Sequence, residues 1–351
     1  MVAQSTHMST LLATVRPRSA AMRRVIDARR WMSVCPEART ASGTCSDVSC
    51  YLGDLTSVST DTQPRKKVTI QHLHQLRHAG TPIAMLTAYD YPTGRACESH
   101  QVDVTLVGDS LAQVCLGYDS TTRLTLDEMI HHCRAVSRGS KSPLLVADMP
   151  FGSYHASTED AVRNAVRLMR EGRVEAVKLE GGLEIVDTVR RLTSVGIPVM
   201  AHVGLLPQRH TSFSGYKVQG RAASCAASVL RNALALEDAG AFAVVLEAIP
   251  SALGTYITRR LTRAPTIGIG AGSGTDGQVL VWDDVMGTWN GHKAKFVRRF
   301  GDVKSEVKKG VTDYIEAVRA RSFPAAAESY EMQPEEWAKF LELVEKDTHT
   351  A

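Results

Sequence analysis

Eight short apolar runs, at residues 83–87, 104–108, 144–148, 176–179, 198–202, 243–247, 266–270 and 278–281, restrict what this chain can fold into. Each is rich in Val, Ile or Leu and lacks the polar alternation of a strand with one wet face. Such a run is a strand buried on both sides, as in a parallel sheet covered by helices. Helical patterns stand between the runs. Thr125, three residues before Glu128, makes a capping box and opens a helix carrying Met129, Ile130, Cys133 and Val136. Ser157 caps a second helix, in which Ala161, Val162, Ala165, Leu168 and Met169 recur at helical spacing. Val186, Val189 and Leu192 mark a third. Leu230, Ala233, Leu234 and Leu236 mark a longer one that stops at Gly240, a C′ glycine. Eight strands joined by right-handed helical crossovers predict an α/β fold, a (β/α)8 TIM barrel. An open doubly wound sheet is the alternative, because a count of strands does not show that they close.

The 351 residues accommodate two ordinary domains or one such barrel with extensions. With 44% hydrophobic and 22% charged residues, the chain has the composition of a globular protein with a full core. A net charge of +4, much of it near the N-terminus, provides no argument for nucleic-acid binding. No stretch approaches the roughly 18 consecutive apolar residues of a membrane span. Seven cysteines, at 35, 45, 50, 97, 115, 133 and 225, form no CxxC pair and read as reduced thiols.

The first 40 residues differ from the rest. They hold seven arginines (Arg16, Arg18, Arg23, Arg24, Arg29, Arg30 and Arg39), two acids (Asp27 and Glu37) and no lysine. Ser, Thr and Ala fill the gaps, and the segment from Thr14 to Trp31 has the pattern of a basic amphipathic helix. This composition predicts an organelle transit peptide, against the plainer reading of a disordered basic tail. Mitochondrial import is the expectation, because arginine dominates and Arg29-Arg30-Trp31 resembles a cleavage site. Residues 41–65, rich in Ser, Thr and Asp, read as a linker. The expected organisation is transit peptide and linker over 1–65, catalytic barrel over 66–300 and a C-terminal extension over 301–351. Amphipathic patterns at 303–319 and 334–345 make that extension helical, as peripheral or subunit-contact elements. His72, His74 and His78 fall on a helix before the first strand, and a solvated face explains them better than a metal site.

Polar residues that end apolar strands carry the chemistry, because a barrel places its active site at the C-terminal ends of its strands. The second strand runs into Asp109 and Ser110, the third ends at Asp148, and the fourth at Lys178 and Glu180. The fifth ends at His202 and the sixth at Glu247. Four carboxylates, one lysine and one histidine then converge on one mouth. Carboxylates so gathered repel and raise one another's pKa, and a bound divalent cation resolves the conflict. Oxygen ligands favour a hard ion such as Mg²⁺. That ion can chelate a 2-oxo acid and stabilise the enolate formed when a remaining carboxylate takes a carbon-bound proton. Each residue also has a plain reading. A lone strand-end acid often caps the next helix, Lys178 and Glu180 can form an ion pair, and His202 can satisfy a backbone group. Four acids on adjacent strands favour the functional reading. Gly268-Ile-Gly-Ala-Gly272 suggests a phosphate loop, but a tight strand-to-helix turn needs the same glycines.

These segments together resemble ketopantoate hydroxymethyltransferases, of the phosphoenolpyruvate/pyruvate barrel superfamily. The matching stretches are Met85-Leu-Thr-Ala-Tyr-Asp90, Leu106-Val-Gly-Asp-Ser-Leu111, Ala147-Asp-Met-Pro-Phe151, Val177-Lys-Leu-Glu-Gly-Gly182 and Ala201-His-Val-Gly-Leu-Leu-Pro207. Gly215-Tyr-Lys-Val-Gln-Gly220, Val245-Leu-Glu-Ala-Ile-Pro250 and Ile267-Gly-Ile-Gly-Ala-Gly272 follow in order, so the likeness spans about residues 66–300. The resemblance implies transfer of the one-carbon unit of 5,10-methylenetetrahydrofolate to 3-methyl-2-oxobutanoate, giving 2-dehydropantoate for pantothenate and coenzyme A. It implies Asp109 and Asp148 as Mg²⁺ ligands and Glu180 in the metal's shell through water. It implies Ser110 and Lys178 as contacts of the keto acid with His202 nearby, and Glu247 as the catalytic acid/base. It also implies a homo-oligomer, commonly a decamer in the family.

Some positions depart from the family pattern. Ser214 stands where a glycine is usual, and Arg173-Val174-Glu175 replaces a small-residue segment. Val281-Trp-Asp-Asp-Val-Met286 and Gly291-His-Lys-Ala-Lys-Phe296 keep only parts of later motifs. These changes bear on the folate contacts and on oligomer packing. A Mg²⁺-dependent C–C lyase of the same superfamily, acting on a 2-oxo or 2-hydroxy acid, is the alternative enzyme. Such relatives often use a loop cysteine, whereas Cys115, close to Asp109, reads here as core packing. An inactive barrel serving as a scaffold is disfavoured by the intact polar set.

Overall fold

The structure, a computed structural model, describes residues 65–348. Its strands are β1 (Ile83–Thr87), β2 (Val104–Val107), β3 (Leu144–Asp148), β4 (Ala176–Glu180), β5 (Val199–Gly204), β6 (Ala243–Glu247), β7 (Thr266–Ile269) and β8 (Gly277–Leu280). They pair in sequence order, all parallel, and β8 returns to β1, closing a TIM barrel and excluding the open sheet. Every expected apolar run is a strand, with ends displaced by no more than two residues. The segment expected to be a transit peptide, the expected linker before Arg65, and Cys35, Cys45 and Cys50 lie outside the described residues. Arg65, assigned to the end of the linker, ion-pairs with Asp103 at 2.6 Å and donates to the Val102 carbonyl.

Eleven α-helices accompany the strands among the described residues. They are α1 (Ile70–His78), α2 (Tyr91–Ser99), α3 (Leu111–Val114), α4 (Leu126–Gly139), α5 (Thr158–Glu171) and α6 (Val186–Ser194). Then come α7 (Ala223–Asp238), α8 (Ser251–Arg260), α9 (Trp282–Met286), α10 (Val303–Arg319) and α11 (Pro334–Thr348). The cap signals act as expected. The Glu128 N–H donates to Thr125 Oγ1 while the Thr125 N–H donates to Glu128 Oε2, and the Asp160 N–H donates to Ser157 Oγ. Gly240 follows α7 at φ +101°, where a Cβ would stand 2.9 Å from Thr193 Oγ1, so only glycine fits the turn.

Strand side chains alternate between two cores. One set packs outward against the helices, with Val107, Leu145, Val177, Leu179, Ala201 and Leu246 meeting α4 to α7. The other fills the barrel with Ile83, Met85, Leu106, Val146, Met200 and Val245, and Val68 and Leu73 from the α1 region pack against it. The period of two then does something specific. Continuing each inward series toward the strand's C-terminal end leads from Val146 to Asp148, from Ala176 to Lys178 and Glu180, from Met200 to His202, and from Val245 to Glu247. The barrel interior is therefore apolar below and charged in its top layer.

The helices α10 and α11 lie after residue 300 and expose Val307, Val311, Tyr314, Trp337, Phe340 and Leu341. His72, His74 and His78 lie on α1, and among the described residues they join no metal-holding cluster. Cys97 and Cys133 are buried free thiols.

Two departures from the family pattern have a conformational meaning. Ser214 (φ +55°) and Arg173 (φ +61°) occupy the left-handed region, where a Cβ crowds the following carbonyl. Glycine, which has no Cβ, relieves that strain. Ser214→Gly and Arg173→Gly should each raise stability by about 0.5–1 kcal/mol. Urea unfolding checks this, and a loss of stability in both variants would show that neither position is strained.

Candidate active site

All seven residues singled out for chemistry line one cavity of about 180 Å³ at the C-terminal ends of the strands: Asp109, Ser110, Asp148, Lys178, Glu180, His202 and Glu247. Strand register brings them together. Asp148 pairs with Lys178 across β3 and β4, Glu180 with His202 across β4 and β5, and Gly204 with Glu247 across β5 and β6. Gly204 has φ +97°, and a Cβ there would stand 2.3 Å from the Glu247 carbonyl oxygen, so glycine permits the close approach of these strands. Beyond Glu247 the chain turns through Ala248 at φ +45°, whose N–H donates to the Ile269 carbonyl. Strain in a non-glycine residue at that position is of the kind that collects at functional sites.

Lys178 Nζ donates to Asp148 Oδ1 at 2.6 Å, so its ion-pair partner is Asp148 rather than Glu180. Asp148 Oδ2 accepts the Asp109 N–H at 2.9 Å. Burial opposes the lysine's charge, but Asp148, Glu180 and Asp109 outweigh it and hold the ammonium above its ordinary pKa. The acids respond in the opposite sense. Burial, then the Asp148 charge, lifts Asp109 to about 7. Burial and Asp109 push Glu180 well above the usual carboxylate range. Burial lifts Glu247 to about 8.

His202 is fully enclosed. Its Nε2 lies 3.2 Å from Glu247 Oε2 and its Nδ1 lies 3.8 Å from Glu180 Oε1. Burial, with Lys178, holds its pKa well below the ordinary value, so the imidazole is neutral and these contacts are not ion pairs. Neither ring nitrogen has a hydrogen-bond partner among the described residues, nor has Thr121 Oγ1. All three orphaned atoms belong to residues lining the same cavity. Buried polar atoms are rarely left unpaired, so these point to a polar ligand.

Ser110 belongs to a relay. Thr87 Oγ1 accepts the Trp282 N–H and donates to the Tyr89 hydroxyl, which lies 2.7 Å from Ser110 Oγ. With its acceptor side taken by Thr87, Tyr89 gives its proton to Ser110 and leaves the serine O–H free to donate into the cavity.

Gln208 is the site residue that sequence reasoning missed. It lies in a 3₁₀ turn after β5 and is buried. Its Nε2 donates to Asp109 Oδ2 (2.9 Å) and the Met149 carbonyl (3.0 Å), its Oε1 accepts from Tyr154 (2.7 Å), and its N–H donates to Glu180 Oε2 (3.0 Å). The family resemblance quoted from the sequence stops one residue short of it, at Pro207. Tyr89, Thr121 and Tyr216 also emerge only in three dimensions.

The donor set fits a hard divalent cation. Asp109, Asp148, Glu180 and Glu247 face a single buried ammonium, which leaves negative charge to be offset. Among the described residues no three His, Cys, Asp or Glu side chains already converge as a cage. Mg²⁺ needs no such cage, since it uses one or two carboxylates and keeps several waters. Asp109 and Asp148, linked through the Asp109 N–H, could supply those two.

Two expectations change. Cys115 is exposed, not core, because α3 is a four-residue helix that leaves it at the surface. The residue is exposed but its thiol is partly enclosed by protein, and that desolvation, with Asp283 and Asp90 nearby, pushes it up to about 12, so it does not serve as a thiolate nucleophile. The glycine loop after β7 is accounted for by packing. A Cβ on Gly270 would meet the Phe296 ring at 2.6 Å, and one on Gly272 would meet Ser251 Oγ at 2.1 Å.

Glu247 makes the site's charge testable through stability. Its folded pKa of about 8 lies above the ordinary 4.5, so its contribution is full below pH 4.5 and is lost as pH rises through 8. In metal-free buffer, wild-type stability should fall over that window with a slope approaching about 1.4 kcal/mol per pH unit for this one group. Glu247→Gln should remove that share of the slope in urea unfolding. A variant that keeps the full wild-type slope would refute the raised pKa.

The sequence pattern of the family described as ketopantoate hydroxymethyltransferase matches residues 67–326, reaching past the barrel through α10. A 3-methyl-2-oxobutanoate hydroxymethyltransferase of Carboxydothermus hydrogenoformans is 50% identical over 269 residues, covering 77% of this chain and 97% of the relative. One from Emericella nidulans is 44% identical over 285 residues, covering 81% of each. Among solved structures, a phosphonopyruvate hydrolase superposes with a TM-score of 0.51 over 82% of this chain and 97% of its own, at 11% identity, which speaks to the barrel alone. With the family pattern spanning the barrel and one relative matched over 97% of its own length at 50% identity, the chain belongs to the ketopantoate hydroxymethyltransferase family.

Proposed function

We propose that this protein transfers the one-carbon unit of 5,10-methylenetetrahydrofolate to 3-methyl-2-oxobutanoate, giving 2-dehydropantoate, with Asp109 and Asp148 holding Mg²⁺ and Glu180 acting on the ion through water. The observation that carries this reading is one cavity in which Glu247, a neutral buried His202, a free serine proton and excess carboxylate face the same small volume. A bound divalent cation would supply Lewis acidity, drawing electrons from the keto acid and offsetting the acids around it.

The chain's own residues do the rest. Lys178 and Ser110 orient the keto acid, the first by charge and the second by its donated O–H. Glu247 removes the proton at C3, and its carboxyl, at about 8 in the protein without ligand, is matched to proton transfer near neutrality. The C3 carbanion equivalent bonds to the one-carbon unit as both C–N bonds holding that unit to folate break. Water supplies the hydroxyl O–H, one folate nitrogen takes the proton that Glu247 removed from C3, and the other takes the second proton of the water. His202 is neutral, and its Nε2 lies 3.2 Å from Glu247 Oε2, so the ring sits beside that carboxylate without neutralising it.

The proposal extends to two features outside the site. The apolar side chains exposed on α10 and α11 support a homo-oligomer, a decamer by family likeness, in which other copies cover them. The arginine-rich, acid-poor first 40 residues support mitochondrial import.

Deuterium exchange at C3 of 3-methyl-2-oxobutanoate, with Mg²⁺ and without folate, isolates the first step. Exchange should occur, stop on addition of EDTA, and fall by about 10²–10⁴ in Glu247→Gln. Methylenetetrahydrofolate should then yield 2-dehydropantoate with the wild type. A folded wild type that forms no product would refute the assignment.

A further inference from the structure

The catalytic cavity, at about 180 Å³, is small for two substrates of which one carries a pterin, an aromatic linker and a glutamate tail. It is also the wrong sign for that tail, being lined by Asp109, Asp148, Glu180, Glu247 and Asp284. A second cleft, of about 530 Å³, opens beside it. Leu205, Ala248 and Gly270, each just past the end of β5, β6 or β7, form its floor, and Tyr216 and Phe296 line both spaces.

The two differ in chemistry. Leu205, Val218, Ile249 and Phe296 give the larger cleft apolar walls, and no acidic residue lines it. Tyr216 and Val218 are exposed there, two large apolar side chains without cover. The Tyr216 ring lies parallel to that of His210, at 8° and 5.6 Å between centroids, which sets its plane. Lys217, His292 and Lys295 stand at the rim. Neither lysine ammonium makes an ion pair or hydrogen bond with a described residue.

We infer that this cleft is the folate site: its apolar walls and Tyr216 take the pterin and aminobenzoyl rings, and Lys217 and Lys295 take the carboxylates of the glutamate tail. The inference rests on the function proposed above and adds the location and the charge recognition of the co-substrate. It also accounts for Ala248, whose strained turn places the base Glu247 in one space and its own backbone in the other. The two spaces hold their anions differently: the small keto acid carboxylate is drawn to Lys178 and a bound cation, whereas the polyanionic tail is held over the basic rim of the second cleft, away from the acids.

The test is calorimetric titration of the full chain with tetrahydrofolate and with its pentaglutamate. The double variant Lys217→Ala/Lys295→Ala should bind the pentaglutamate about tenfold more weakly than wild type, with a smaller loss for the monoglutamate. Wild-type affinity for the pentaglutamate should fall with added salt more steeply than the variant's. Both lysines are exposed, so truncation removes no core packing, and Lys217→Gln/Lys295→Gln with a thermal unfolding midpoint checks the fold. Wild-type-like binding by folded double variants would overturn the inference while leaving the proposed reaction standing. So would a loss produced instead by Arg298→Ala, in the hollow on the other side of Phe296. A wild type that exchanges the keto acid proton but binds no tetrahydrofolate would overturn both this site and the choice of donor.

Discussion

The ion pair between Lys178 and Asp148 is the contact on which the catalytic end of the barrel depends. Both groups are buried, and taking a charge pair out of water is expensive unless other partners complete it. Here Asp148 also accepts the Asp109 N–H, while Asp109, Glu180 and Glu247 surround the same ammonium without a second cation to share. One positive charge among four acids is enough to seat them but not to neutralise them. Burial first, and the charge of neighbouring acids after it, raises the carboxyl pKa values of Asp109, Glu180 and Glu247. A site strained in this way is built to receive a cation and a proton, and both are what enolising a keto acid needs.

The barrel makes that strain bearable. Its lower interior is a closed apolar core, sealed below by Val68 and Leu73, so the charged layer rests on a rigid floor. Parallel strands present inward side chains in layers, and the register between β3 and β6 turns that layering into pairs of residues from neighbouring strands. Loops alone would have to order long segments to achieve the same distances. Here the backbone hydrogen bonds of the barrel position Asp148, Lys178, Glu180, His202 and Glu247 before any ligand arrives, leaving only the loop residues Asp109, Ser110, Gln208 and Tyr216 to be placed by side-chain contacts.

Legibility in the sequence follows the same division. Asp148, Lys178, Glu180, His202 and Glu247 stand out in the chain because each interrupts an apolar run, and the barrel gives that interruption a direction. The identity of pairs was not readable. Lys178 and Glu180 lie two apart on one strand and face the same way, yet the lysine bonds across the sheet to Asp148, because register between strands is a property of the closed barrel and not of any one strand. Cys115 was misplaced because the helix that follows Ser110 is only four residues long, too short for periodicity to show which face is covered. The glycines after β7 suggested an anion, whereas the closeness of Phe296 and Ser251 explains them. Such contacts between distant segments leave no local pattern.

Gln208 shows why the hidden part of the site matters as much as the visible part. Its partners are separated from it by 99 residues at Asp109 and by 28 at Glu180, and no spacing rule joins them. Its amide is nonetheless in a single orientation, because Tyr154 donates to one end and two acceptors, Asp109 and the Met149 carbonyl, face the other. A glutamate of the same shape would present an oxygen to those acceptors and add a fifth charge to a cluster already short of cations. An aliphatic side chain would leave Asp109 free to rotate away from Asp148. The neutral amide satisfies Asp109 at one oxygen and leaves the other for a ligand, so a residue that carries no charge decides how the charged ones are used.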